Sequence, residues 1–115
     1  MNDTPLDPAV MAEFRETMGD DFAAELVDTF LSEAPTLLDD LRAALETDDV
    51  DRFRRAAHSI KSNANVFGAP MLAEQARSLE LGGMDGPNDA LTSHVQALDD
   101  EFARVAAALR TLLNG

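Results

Sequence analysis

The single lysine of this 115-residue chain lies three residues after His58. Residues three apart share one face of a helix, so the Lys61 ammonium is predicted to lie beside the imidazole. Neutral imidazole is a nucleophile that can form a covalent intermediate, and an ammonium offers up to three hydrogen-bond donors. The pair therefore predicts a phosphoryl group carried on His58, with Lys61 neutralising part of its charge.

The helix that carries both residues is predicted to run from about Val50 to Val66. Its core stripe is predicted to consist of Val50, Phe53, Ala57, Ile60, Ala64 and Phe67. His58 points about 130° away from the centre of that stripe at 100° per residue, so it is expected to face solvent. A second stripe contains Arg54, His58, Lys61 and Asn65, with Ser62 alongside, and places cations one turn away on either side of the imidazole.

The remaining elements are also predicted to be helices. Asp7 followed by Pro8 indicates a helix start. The predicted helices run from about Pro8 to Met18, Asp20 to Glu46, Pro70 to Leu81 and Asp89 to Leu113, with a loop at Gly82 to Asn88. Pro35 lies inside the second helix, where one kinked helix is favoured over two separate helices. This pattern predicts an all-α fold, an antiparallel four-helix bundle with a short additional N-terminal helix.

Two apolar stripes are expected to supply most of the remaining core. On the second helix the predicted stripe is Phe22, Leu26, Phe30, Leu37, Leu41 and Leu45, and on the last helix it is Leu91, Val95, Leu98, Phe102, Val105, Leu109 and Leu112. Both keep the three- and four-residue spacing of an amphipathic helix, apart from one gap at Pro35.

Composition limits the function classes. The length suits one domain, and the absence of cysteine excludes disulfides and thiolate metal sites. A formal charge of −13 argues against nucleic acid and anionic membranes as partners. The first eight residues lack the basic start and apolar run of a signal peptide, and no apolar stretch reaches the roughly 20 residues of a membrane helix. A cytoplasmic protein is the expectation.

Other polar residues are given structural interpretations. His94 flanks the apolar stripe of the last helix and is predicted to be a partly buried structural histidine. Glu80 and the acidic doublets Asp39-Asp40 and Asp99-Asp100 are interpreted as solvated helix faces. Metal sites in helical bundles use Glu-x-x-His pairs, but Arg55 and Leu91 stand at that spacing before the two histidines. No metal site is therefore predicted.

The run HSIKSNANVFGA, residues 58–69, resembles the signature of histidine-containing phosphotransfer (HPt) domains. That family has His, any residue, Leu or Ile, Lys, Gly or Ser, Ser or Ala, small residues, then an apolar residue and Gly. Ala56-Ala57, the run from Phe30 to Pro35 and the run from Leu72 to Glu80 are also similar, so the resemblance spans about residues 22–82. Ser62 in place of the usual glycine and Asn63 in place of Ser or Ala are departures.

The resemblance implies a free-standing, monomeric domain over residues 1–115 that carries a phosphoryl group and lacks autokinase activity and a nucleotide site. It implies response-regulator receiver domains and a hybrid histidine kinase as partners. Such a domain needs no cofactor of its own, since the magnesium ion is expected on the receiver. The alternative is a helical adaptor that binds a signalling partner without being phosphorylated.

Roles for further residues follow from the same resemblance. Ser62, Asn65, Arg54 and Gly68 are expected to support the phosphorylated histidine. The expected docking surface lies on the first three helices, with Met11, Phe14, Met18 and Phe22 as apolar candidates and core packing as the alternative for each. Arg54 and Arg55 are candidates to pair with acidic residues of a receiver, or to form only surface salt bridges.

Overall fold

A computed structural model describes residues 6–82 and 88–114, and these residues form five helices. The helices are α1 (Pro8–Met18), α2 (Asp20–Thr47), α3 (Val50–Val66), α4 (Pro70–Gly82) and α5 (Asn88–Asn114). The predicted all-α fold is confirmed, and α3 has the predicted bounds. Most of the predicted loop at Gly82 to Asn88 lies outside the described residues.

Aspartates define the boundaries around α3 and the start of α1. The Asp7 carboxylate accepts a hydrogen bond from the Ala9 N–H at 3.0 Å, and Asp49 accepts one from the Arg52 N–H at 3.1 Å. Such capping satisfies N–H groups that have no partner within the helix. Asp48, with a φ of 58°, ends α2 in the left-handed conformation, so the chain turns at once from α2 into α3.

Helix α2 continues through Pro35 without a break. Proline has no N–H, so the Leu31 carbonyl loses its usual partner four residues on. Pro35 is exposed, and packing on the other faces of α2 keeps the 28-residue helix in one piece. The alternative of two separate helices is therefore wrong, while the predicted bend stays a prediction.

Helix α3 packs between α2 and α4, and α5 packs against α4 and α2. The Phe30 and Phe67 rings lie 4.9 Å apart, and Arg52 forms an ion pair with Asp40. These two contacts make α2 and α3 antiparallel. The largest side chains buried completely are Phe53, Leu41, Leu72, Leu98, Leu109 and Val105.

Small residues, more than the predicted leucines, form the buried line of α2. This line consists of Ala23, Val27, Phe30, Ala34, Leu38, Leu41 and Ala44. Leu26, Leu37 and Leu45 are only partly buried beside it. Phe22 is 48% exposed and Val50 is 44% exposed, so placing them in the core was wrong. Alanine and valine allow close helix approach, and the larger side chains then cover the edges of the contact.

Helix α1 is attached to the turn between α3 and α4. Phe14 packs edge-on against Phe67 with centroids 5.5 Å apart, and the Asp7 N–H donates to the Gly68 carbonyl at 2.6 Å. Gly68 has a φ of 66°, and a Cβ there would lie 2.6 Å from the Cβ of Val10. The turn therefore requires glycine for both its conformation and its contact with α1.

Within residues 6–82 and 88–114, no helix is long and apolar enough to cross a membrane.

Candidate functional site

His58 lies midway along α3 with its side chain 58% exposed. The opposite face of α3 buries Phe53, Ala57, Ile60 and Ala64 in the core. This packing fixes the rotation of the helix about its axis and turns the imidazole outward. The orientation is the one predicted from the helical periodicity.

A carboxylate from α4 connects His58 and Lys61. Glu80 Oε2 lies 2.7 Å from His58 Nδ1, and Glu80 Oε1 lies 2.7 Å from Lys61 Nζ. Glu80 is mostly buried and Lys61 is about three-quarters buried, while the imidazole stays open to solvent. The structure thus assembles a cluster of His58, Lys61 and Glu80 at the α3–α4 contact.

The hydrogen bonds lower the pKa of Glu80 below its ordinary value, first through the bond from Lys61 and then through the bond from His58. The group is therefore an ionised carboxylate at neutral pH, and an ionised carboxylate only accepts hydrogen bonds. Nδ1 of His58 must then carry the hydrogen in this contact. In the neutral ring, Nε2 is left with its lone pair.

Glu80 is the site residue that the sequence interpretation missed. It was interpreted as part of a solvated face, which is wrong because its carboxylate contacts both site residues of α3. Spacing along the chain does not connect residue 80 with residue 58, since the connection depends on how α4 packs. The sequence feature that could have pointed to Glu80 was the run from Leu72 to Glu80, which is part of the resemblance to HPt domains.

The other residues expected to support His58 lie elsewhere on α3 or beyond it. Arg54, Ser62 and Asn65 are exposed on α3, and within the described residues no hydrogen bond or ion pair joins them to the cluster. Gly68 lies in the turn beyond α3, where it contacts α1. Its contribution is to the fold around the site.

The docking candidates separate into buried and exposed groups. Phe14 is 8% exposed and Met11 is 5% exposed, so Phe14 as a docking residue is wrong and both belong to the core. Met18 and Phe22 are about half exposed and remain available to a partner. Arg55 is exposed and borders a groove between α2 and α3.

The second histidine has a different environment. His94 is exposed on α5, so predicting it to be partly buried was wrong. It borders a shallow groove with Gln75 and Ser78 of α4. Among the residues described, no group of three or more His, Cys, Asp or Glu is arranged to hold a metal ion.

Comparison with known proteins identifies the family. The model of the Hpt domain matches residues 25–108, which include the His58, Lys61 and Glu80 cluster. The chain belongs to the Hpt domain family. Hpt domains are phosphotransfer domains of phosphorelays, so this is the general function of the chain.

Solved structures share the fold over nearly the whole chain. Histidine-containing phosphotransfer protein B (HptB) from Pseudomonas aeruginosa PAO1 is 29% identical, with a TM-score of 0.89 over 98% of this chain and 97% of that one. The HPT domain of a Shewanella sensor hybrid histidine kinase is 18% identical, with a TM-score of 0.77 over 96% and 95% of the two chains. The latter likeness concerns the fold alone.

A curated relative is much longer than this chain. Sensor protein TorS from Escherichia coli strain K12 is 29% identical over 100 residues, which are 85% of this chain and 11% of that protein. The similarity therefore concerns one domain of a sensor protein. It supports phosphotransfer but does not identify partners.

Proposed function

We propose that this Hpt domain carries a phosphoryl group on Nε2 of His58, between an aspartyl phosphate of one receiver domain and the aspartate of another. The observation that carries the proposal is the contact between Nδ1 of His58 and Glu80, at 2.7 Å, on an imidazole that is 58% exposed. One ring nitrogen is occupied by the protein, and the other is left as the nucleophile.

The transfer step needs no proton to be removed from the attacking atom. The Nε2 lone pair attacks the phosphorus of the aspartyl phosphate, and an N–P bond forms. The P–O bond to the aspartate breaks, and its electron pair leaves with the carboxylate. Nδ1 keeps its hydrogen, so the ring becomes cationic and Glu80 stabilises that charge through the existing hydrogen bond. Transfer onward is the reverse step with a second aspartate.

Lys61 has two roles in this scheme. Its ammonium holds the Glu80 carboxylate at 2.7 Å, and it lies one helical turn from His58, within reach of an incoming phosphoryl group. With three N–H donors, it can keep one bond to Glu80 and donate another to a phosphoryl oxygen. Phosphoryl transfer depends mainly on such positioning and charge stabilisation. The receiver supplies the acceptor aspartate and its magnesium ion.

The exposed apolar residues indicate a large partner surface. Phe67 contacts Phe30, and from this level His58 and Phe22 lie in opposite directions along the antiparallel helices. At 1.5 Å per residue, the two side chains are separated by about 25 Å along the bundle. A partner that contacts both must span about 25 Å, which a folded domain such as a receiver does.

Phosphorylation of the isolated chain tests the proposal. The chain is incubated with each phosphorylated receiver domain encoded in the same genome, and acid-labile, base-stable label is measured. His58→Gln is expected to abolish labelling. His94→Gln is the matched control, because His94 is also an exposed helical histidine but has no hydrogen bond to a carboxylate within the described residues.

Two results contradict the proposal. Labelling that persists in His58→Gln would place the phosphoryl group on another residue. A wild-type chain that takes no label from any receiver would favour the adaptor, which binds its partner without covalent chemistry.

A further inference from the structure

A groove between α2 and α3 lies directly beside the phosphoacceptor. Its volume is about 360 Å³, and its walls are formed by Leu37 and Asp40 of α2 and by Arg52, Arg55, Ala56 and Ser59 of α3. The transfer step uses none of these residues, although the sequence made Arg55 a candidate contact for a receiver. The groove is therefore a separate feature of the surface that a partner must approach.

The position of the groove ties it to His58. Ser59 follows His58 directly, and Arg55 precedes it by three residues, a spacing that places Cβ atoms roughly 5–6 Å apart on a helix surface. His58 and Arg55 are both exposed. A receiver that encloses His58 in its own active site must also cover Arg55 and the adjoining edge of the groove.

The charges in the groove favour binding of an acidic group from a partner protein. Arg52 Nη2 forms an ion pair with Asp40 Oδ1 at 2.8 Å, which balances those two residues. Arg55 has no ion-pair partner among the described residues. In a chain with a formal charge of −13, this leaves a positive guanidinium beside the site. Nucleic acid is an unsuitable partner, because the rest of the chain repels its phosphates.

The apolar part of the groove further limits the kind of acidic group that fits it. Leu37 and Ala56 form part of the wall, and this apolar surface suits the methylene stem of a side chain. Guanidinium binds carboxylate through two parallel hydrogen bonds, which are shorter and stronger than bonds between neutral groups. A single aspartate or glutamate side chain matches both features.

We propose that the α2–α3 groove receives an acidic side chain of the receiver domain that docks on His58, with Arg55 as its ionic partner. The proposal rests on the proposed phosphotransfer function. It makes Arg55 a specificity residue, since a receiver with a basic residue at the facing position is repelled. Arg55 takes no part in the transfer step itself.

Binding measurements with a charge-reversed variant test this inference. The probe is the receiver domain that phosphorylates the wild-type chain fastest, unphosphorylated and loaded with magnesium. Arg55→Glu is expected to raise the Kd at least about tenfold, as charge reversal at a specific interfacial pair does. Arg110→Glu is the matched control, because Arg110 is exposed on α5 and its reversal changes the net charge equally. Its Kd is expected to stay within about twofold of the wild type.

A second measurement identifies the acidic residue of the receiver that pairs with Arg55. Each acidic residue on the receiver surface is changed to lysine, and one such variant is expected to restore binding to Arg55→Glu. Equal weakening by Arg55→Glu and Arg110→Glu would mean that only net charge matters, and no weakening by Arg55→Glu would mean that the groove is unused. Either result overturns the groove assignment while leaving phosphorylation of His58 intact. If no receiver phosphorylates the wild type, both proposals fail.

Discussion

Glu80 on α4 binds Nδ1 of His58 on α3 at 2.7 Å. Together with the Lys61–Glu80 ion pair, this contact joins two helices that also pack through buried apolar side chains. It also decides which ring nitrogen keeps a hydrogen, because an ionised carboxylate cannot donate one. The reactivity of an α3 side chain is thus set by a residue 22 positions further along the chain.

Removal of the Glu80 carboxylate is expected to leave His58 no longer restricted to one neutral tautomer. In Glu80→Ala, Nδ1 loses its acceptor, so both neutral tautomers become populated and the rate of phosphotransfer falls by about tenfold, the order expected for loss of one positioning hydrogen bond. In Glu80→Gln the amide oxygen can still accept from Nδ1, so the tautomer is retained. Ring ¹⁵N chemical shifts of His58 measure the tautomer directly.

Glu74→Ala is the control for this experiment, because Glu74 is an exposed glutamate of the same helix, with Arg77 3.7 Å away. It is expected to leave both the shifts and the rate unchanged. A Glu80→Ala protein with the wild-type tautomer ratio would show that the carboxylate does not orient the ring.

Lys61 is expected to supply charge to the transfer step, and its removal should leave α3 helical. Lys61→Ala should slow phosphotransfer by about tenfold or more, as loss of a donor to developing phosphoryl charge does, while alanine preserves the helix. Lys61→Arg keeps the charge and should retain more of the rate. Single-turnover labelling gives the rates, and circular dichroism reports the helix content.

Arg77→Ala removes a cation from an exposed position of α4 and should not alter the rate. A Lys61→Ala protein that transfers as fast as the wild type would remove the ammonium from the scheme.

The stability contribution of Glu80 should depend on pH. Its pKa is lowered in the folded state by the bonds from Lys61 and His58, so the contribution is present above the ordinary glutamate pKa of about 4.3 and is lost as the pH falls through the lower folded-state value. Urea unfolding of the wild type and Glu80→Gln should therefore differ most above about pH 4.3 and converge at more acidic pH.

Glu74→Gln is the corresponding control, since Glu74 is an exposed glutamate of the same helix, and its free energy of unfolding is expected to stay close to that of the wild type throughout the series. A difference in the free energy of unfolding between the wild type and Glu80→Gln that grows as the pH falls would have the opposite sign. It would contradict a stabilising role for the ionised Glu80 carboxylate.

The orientation of His58 was predictable because it follows from periodicity alone. The apolar positions of α3 repeat every three to four residues, and Phe53, Ala57, Ile60 and Ala64 all became buried. The bounds of α3 were equally accessible, since Asp49 caps its start and Gly68 follows its end.

The role of Glu80 could not be predicted from helical periodicity. Glutamate on a helix surface is usually solvated, and only the packing of α4 on α3 brings it to His58. The rotation of α2 was also misjudged, because hydrophobicity favours leucine and phenylalanine whereas close helix contact selected Ala23 and Ala34 for the interface. Phe22 was thereby turned outward.

Phe14 and Phe22 provide a test that separates core from docking surface. Phe14 is buried against Phe67, so Phe14→Ala should lower the free energy of unfolding by about 3–5 kcal/mol. Phe22 is about half exposed, so Phe22→Ala should lower it by less than about 1 kcal/mol and instead weaken receiver binding. Met18→Ala should behave like Phe22→Ala, because Met18 is similarly exposed.

Urea unfolding measures the first effect, and titration with the receiver that phosphorylates His58 measures the second. Binding is compared under conditions in which every variant is folded, so that lost stability is not mistaken for lost contact. If Phe22→Ala binds the receiver as tightly as the wild type, the receiver does not reach the start of α2. The partner surface would then be confined to the neighbourhood of His58 and the α2–α3 groove.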